Sequence, residues 1–153
     1  MSDAWDGVVT GPRGADTDDQ MADWCLVCLA ARAWVGEIDV ETFQHAVIRN
    51  LQKAGWAVEK EYVMDVDGYV YGWPDEVEYH VATREGRTYL FEISPIFRRG
   101  DVALLVRKRE LFERIKGRQI ERIYAVAPFI LDKNPDWVKT FAERNNIYII
   151  YDI

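Results

Sequence analysis

The sequence predicts one α/β domain with a mixed sheet lying between helices. Three features carry this: a 153-residue chain with 49% apolar content, a turn-bounded pair of β-rich runs at VEYHVAT and TYLFEIS, and an alternation of strand and helix patterns after Asp101. A chain of this size and apolar content builds one compact core and leaves no room for a second full domain.

Residues 1–17 are rich in Gly, Asp and Pro without an apolar period, and are expected to form a flexible N-terminal arm. The remaining 18–153 reads as a single domain that opens with a helix at 18–35. That helix carries Met21, Trp24, Cys25, Val27, Cys28, Leu29 and Ala31 around more than one side. Such a helix is buried on two sides or packed against a second copy of the chain, so a homodimer through the N-terminal helix is an expectation. Cys25 and Cys28 lie inside this pattern with no second cysteine pair, and read as buried thiols in preference to a redox or zinc motif.

Asp39 is placed to cap a second helix, along which Val40, Phe43, Val47, Leu51 and Ala54 recur at helical spacing. Gly55 ends it. Trp56, Val58, Tyr62 and Val63 suggest a first strand, followed by a turn around Asp65, Asp67 and Gly68. The two β-rich runs then flank Arg84, Glu85, Gly86 and Arg87 as a β-hairpin. Asp101 is expected to cap a helix striped with Val102, Leu105, Leu111, Phe112 and Ile115, and Gly117 to stop it. The nearly continuous apolar run from Ile120 to Ala127 reads as a strand covered on both faces. Asn134 and Pro135 open a short helix, and Ile147 to Ile153 forms a final strand. Early strands should pair antiparallel, and later ones should add in parallel through right-handed crossovers.

Net charge is −7, which argues against a uniformly basic nucleic-acid protein. The charge is uneven, however. Between Arg98 and Arg122 there are nine Lys or Arg against four Asp or Glu, and the chain before Arg98 is acidic. A basic ridge is expected there, with Arg98, Arg99, Arg107 and Lys108 as nucleic-acid-binding candidates; a solvated helix face crossed by ion pairs remains the other reading. Tyr69, Tyr71 and Trp73 precede the hairpin, where they could stack on bases or pack on the core. The longest apolar stretch is too short to span a bilayer, and the acidic N-terminus is unlike a secretory signal, so a cytoplasmic protein without membrane partners is expected. No Gly-rich phosphate loop is apparent, and no nucleotide cofactor is expected.

Metal-assisted phosphodiester cleavage needs carboxylates converging on a hard cation and a group that handles the attacking water. Strand alternation puts Glu78 and His80 on one face of the first hairpin strand, and Glu92 and Ser94 on one face of the second. A three-residue loop would set His80 opposite Glu92, and a two-residue loop would offset them by one.

The αβββαβ order, the strand ending Glu92-Ile93-Ser94, the loop IFRRGD and the helix VALLVRKRELFERIKG resemble a largely archaeal, uncharacterised family of the PD-(D/E)xK nuclease-like superfamily, over about Asp39 to Ile153. The resemblance implies a restriction-endonuclease-like αβββαβ core with a mixed central sheet flanked by helices, plus the extra N-terminal helix. It implies Glu92 and His80 as metal and catalytic positions, with Mg²⁺ or Mn²⁺ as the cofactor and DNA as the partner. Ser94 falls where the motif has Lys, and His80 where it has Asp. Glu41, at the start of its helix, matches a further superfamily carboxylate, although it equally suits a helix N-terminus. Asp75 after Pro74 offers a literal Pro-Asp, and Lys60 is a further source of positive charge. His favours softer cations than Mg²⁺, and Ser brings no charge to a developing phosphorane. The expectation is therefore a nuclease-fold domain with a degenerate catalytic motif that binds nucleic acid or a protein partner. An active Mg/Mn-dependent phosphodiesterase and a homodimeric interaction module are the alternatives.

Overall fold

A computed structural model describes residues 40–150. The order is α1 (Val40–Lys53), β1 (Ala57–Asp65), β2 (Asp75–Arg84), β3 (Arg87–Ile93), β4 (Ile96–Phe97), α2 (Arg99–Lys116), β5 (Arg122–Val126), β6 (Phe129–Ile130), α3 (Pro135–Arg144) and β7 (Ile147–Ile150). Five strands form the central sheet in the order β1-β2-β3-β5-β7. The first three pair antiparallel, and β5 and β7 add in parallel. The expected mixed sheet between helices is what the chain forms. The expected arm at 1–17, the helix at 18–35 and both cysteines lie outside the described residues.

Alternation along the strands gives the sheet two apolar faces. Phe43, Val47 and Leu51 of α1 cover Ala82, Tyr89, Phe91, Tyr124 and Val126. Trp56 meets Tyr89 and Phe91 edge-on there, with ring centroids 5.0 and 5.2 Å away. On the opposite face Val102, Leu105, Leu111 and Phe112 of α2, with Val138 and Ala142 of α3, cover Val77, Tyr79, Val81, Leu90, Ile123 and Ile149. All five residues of β5 are buried, as its unbroken apolar run requires of a central parallel strand.

Two details differ from the sequence expectation, and a third decides an alternative the sequence left open. The helix expected to be capped by Asp101 starts at Arg99, because Asp101 sits at its third position and its carboxylate accepts from the Arg98 N–H at 2.8 Å. An acid there closes the first turn from inside, the N3 half of a capping box. Ser94 and Pro95 do end β3, but the chain then forms a two-residue strand, β4, which pairs in parallel with β6 as a small second sheet. Runs this short leave no period to read. The third is the hairpin turn, which contains only Glu85 and Gly86, both at positive φ (54° and 78°), with Arg84 facing Arg87. Two successive left-handed residues make the tight turn whose twist suits a hairpin.

That turn sets the register of the sheet centre: His80 faces Phe91. The β2–β3 ladder stops at this pair, although β2 begins five residues earlier and β3 continues through Glu92 and Ile93, which pair only with β5. The sheet therefore forks between β2 and β3. Gln44 of α1 donates to the Ile93 carbonyl at this mouth, at 3.0 Å.

Phe112 is fully buried whereas Ile115, one turn along the same helix, is 58% exposed. Phe112→Ala is expected to cost about 3–5 kcal/mol through lost burial and the cavity left behind. Ile115→Ala should stay within about 0.5 kcal/mol. Urea unfolding of the two variants checks the contrast, and equal costs would contradict this packing.

Candidate functional site at the sheet fork

The fork holds a small cleft lined by Tyr79, His80, Leu90, Phe91, Glu92, Leu105, Lys108 and Ile123. Two of the five catalytic candidates, His80 and Glu92, line it. The two-residue turn offsets them by one step, so each leaves its strand on a different face, His80 beside Phe91 and Glu92 beside Tyr79.

Glu92 takes its partner from α2. The Lys108 ammonium lies 3.2 Å from its Oε1. Lys108 is held from several sides: its ammonium lies 5.2 Å from the centre of the Tyr79 ring, and its backbone carbonyl accepts from the Tyr79 hydroxyl at 2.8 Å. Burial, then the nearby Tyr71 and Asp65, push the Tyr79 phenol well above its ordinary range, so that it stays a protonated donor. Sequence reasoning assigned Lys108 to a phosphate-binding ridge; the residue instead turns inward to the motif Glu. The signal was its spacing, since Leu105, Lys108 and Leu111–Phe112 share the buried stripe of α2.

His80 is 7% exposed, and its Nε2 is buried with no hydrogen-bond partner among the described residues. Glu78 Oε2 lies 3.9 Å from that nitrogen, and Lys60 lies 3.6 Å from the same carboxylate. Burial is the dominant influence and lowers the imidazole pKa from 6.5; Glu78 opposes it, Lys60 supports it, and Glu92 and Lys108 act more weakly in opposite senses. His80 is thus a neutral imidazole at neutral pH.

The other three candidates stand apart from the cleft lining. Glu41 is exposed in the first turn of α1. Asp75 is exposed at the start of β2, with its carboxylate on the Glu76 N–H. The Ser94 hydroxyl donates to the Ile96 carbonyl at 3.0 Å and closes the turn into β4. A hard divalent cation takes about six oxygen ligands. Glu92 is the sole carboxylate among the cleft-lining residues, it already carries an ammonium, and most of the others are apolar. Among the described residues no group of three or more His, Cys, Asp or Glu could hold a metal ion. The cleft lining therefore offers Mg²⁺ or Mn²⁺ a single carboxylate, already paired with an ammonium, with Glu78 beside His80 as the nearest further acid.

The remaining cations of the α2 region are also engaged. Arg99 forms a two-pronged bond with Asp132, at 2.9 and 3.1 Å, and its guanidinium lies 4.2 Å from the centre of the Trp137 ring. That bond lowers the Asp132 pKa. Arg107 donates to the Val70 carbonyl and Arg109 to the Asn145 carbonyl. Arg118 and Lys116 both reach Glu61; burial opposes ionisation of that carboxyl, but the two cations hold its pKa below the usual value. Of the four nucleic-acid candidates, only Arg98 is an exposed side chain without a partner named here. No helix among the described residues is long and apolar enough to cross a membrane.

Comparison with known proteins agrees with the architecture. A family model described as the PD-(D/E)XK nuclease superfamily matches residues 75–148, from the start of β2 into β7. No curated protein matches the chain, and no solved structure matches it.

The lowered His80 pKa has a consequence for stability. The unfolded imidazole binds its proton near pH 6.5 while the folded one resists it, so the stability from a neutral His80 is complete above about pH 6.5 and is lost as pH falls from there through the folded value. Subtracting the urea-unfolding curve of His80→Asn from that of the wild type, between about pH 7 and 5, should isolate this slope. An identical pH dependence in both proteins would show that His80 is not the group responsible.

Proposed function

We propose that this chain, whose residues 75–148 match the PD-(D/E)XK nuclease superfamily model, has given up metal-dependent phosphodiester cleavage and acts by binding nucleic acid. The observation that carries the first half is the acid count at the fork: Glu92 is the one carboxylate among the cleft-lining residues and is already paired with the Lys108 ammonium, whereas metal-assisted cleavage draws on carboxylates converging on the cation. The motif Asp position holds a neutral His80, and the motif Lys position a Ser94 whose hydroxyl is spent on the backbone.

The second half rests on the superfamily and on one corner of the surface. In open α/β sheets ligands gather outside the carboxyl ends of the parallel strands. Beyond the ends of β3 and β5, the Arg99–Asp132 pair ties together two chain segments whose neighbouring Arg98 and Lys133 are exposed. Trp137, 42% exposed, lies under Arg99. Cations beside an aromatic ring suit a phosphate backbone and its bases.

Supercoiled plasmid incubated with Mg²⁺ or Mn²⁺ should stay intact. Nicking that disappears in Glu92→Gln would restore the active-enzyme reading. Labelled duplex and single-stranded DNA should bind with an affinity that falls as salt rises, and Arg98→Ala combined with Lys133→Ala should flatten that dependence by roughly two phosphate contacts. Affinity absent, or unchanged in the double variant, would leave a protein partner as the function of the domain.

A further inference from the structure

The loop between β1 and β2 is an aromatic surface held in a fixed shape. Asp65, 1% exposed, accepts from the Val70 N–H at 2.8 Å, and the Gly72 N–H bonds to the Gly68 carbonyl. Gly68 has φ 68°, and a Cβ there would lie 2.9 Å from the Trp73 backbone, so the loop folds back on itself at a position only glycine allows. Arg107 of α2 bonds the Val70 carbonyl, and the Tyr69 hydroxyl bonds Glu110. The loop is thus anchored on α2 as well as within itself.

What this anchoring presents is apolar. Trp73 is 59% exposed and stacks on Tyr71, with ring centroids 6.1 Å apart and planes 25° from parallel, while Tyr69 is 39% exposed. A large indole left in water on an ordered loop is a costly arrangement, and a pre-formed one reduces the entropy lost when a partner docks. The exposed charges that flank Trp73 along the chain are negative, Asp67, Asp75 and Glu76, while the cations nearby lie on the α2 side, Arg107 on the Val70 carbonyl and Arg114 over the Tyr69 ring. Aromatic faces attract cations, and flanking carboxylates complete their neutralisation. A phosphate backbone would meet repulsion from the carboxylates on the side that leads into β2.

We infer that the Tyr71–Trp73 surface with Asp67, Asp75 and Glu76 is a docking site for an arginine- or lysine-bearing segment of a protein partner. It shares no residue with the Arg98 and Lys133 corner, and it holds whether or not the domain binds nucleic acid. The inserted cation lies over the indole face, and its chain lies along the carboxylates that lead into β2.

The probe is a fluorescein-labelled peptide of three arginines separated by glycines, read by fluorescence anisotropy. The comparison ligands are its glutamate counterpart and an oligothymidylate. Trp73→Ala, at an exposed position, should weaken arginine-peptide binding roughly three- to thirtyfold, and Trp73→Phe should recover part of that loss. Asp75→Asn combined with Glu76→Gln should weaken it as well. Glu121→Gln removes a charge at the far end of the sheet and should leave binding unchanged. Absence of arginine-peptide binding, equal binding by Trp73→Ala, or an equal loss from Glu121→Gln would overturn the site. Trp73-dependent binding of the oligothymidylate in place of the arginine peptide would overturn it too, and assign the loop to nucleic acid. DNA binding that depends on Arg98 and Lys133 but not on Trp73 bears only on the nucleic-acid reading, so the two ideas fail separately.

Discussion

The geometry of the fork depends on a two-residue turn. Glu85 and Gly86 both take left-handed backbone, which fixes Arg84 against Arg87 and, four steps along, His80 against Phe91. A side-chain period of two makes such a choice decisive, because one more residue in the turn would exchange every inward and outward position of the strand. The observed register buries Tyr79 and Val81 under α2 and places Ala82 and Phe91 under α1. It also separates the two candidates that a looser turn would have set face to face. The sheet interior leaves little freedom here, since both faces of β2 and β3 are covered and a slip would carry apolar side chains off both cores.

Helix α2 shows the same constraint from its other side. Polar groups on the sheet side of α2 meet cations aimed inward: Lys108, Arg107 and Lys116 of the helix, with Arg118 just beyond its end, reach Glu92, the Val70 carbonyl and Glu61. Long aliphatic stems let these residues cover apolar surface while their heads reach acceptors. The more a pair is withdrawn from water, the more it weighs in stability, and the Lys108 side of the Lys108–Glu92 pair is buried while Glu92 is part-exposed. Removing one partner of the Lys108–Glu92 pair leaves the other charge without its counter-ion, whereas the exposed Arg99–Asp132 bond is screened by solvent. A high local count of Lys and Arg is therefore a poor guide to the outward field of this helix.

Much of the architecture was legible because the relevant signals are periodic and long. The apolar stripe of α2, the unbroken run of β5, the Asn134-Pro135 start of α3 and the existence of the hairpin each follow from a clear local pattern. The small sheet of β4 and β6 was not legible, since Ile96–Phe97 and Phe129–Ile130 are two-residue strands with no pattern of their own. The helix start was misplaced by three residues because Asp101 is a good N-cap and an equally good third-position acid. At the site, the sequence could name His80 and Glu92 but could not give the turn length that decides their faces. It also could not show which cations of the Arg98 to Arg122 run turn inward, because that depends on how α2 rolls against the sheet.

An opened sheet needs something to occupy the gap. Where two strands part, the carbonyls and amides that no longer pair must find other partners, and any charge at the edge must be neutralised. In a metal nuclease the cation and its waters would meet that need, and the acids around it are tolerated for that reason. Here Gln44 takes the Ile93 carbonyl, the Tyr79 hydroxyl takes the Lys108 carbonyl, and the Lys108 ammonium answers Glu92, while the neutral His80 imidazole adds no charge to a buried position. The fork is thus closed electrostatically by the protein itself. An opening filled by the protein's own side chains holds its shape through the same contacts that pack the sheet, so the architecture of the fork is set by the fold itself.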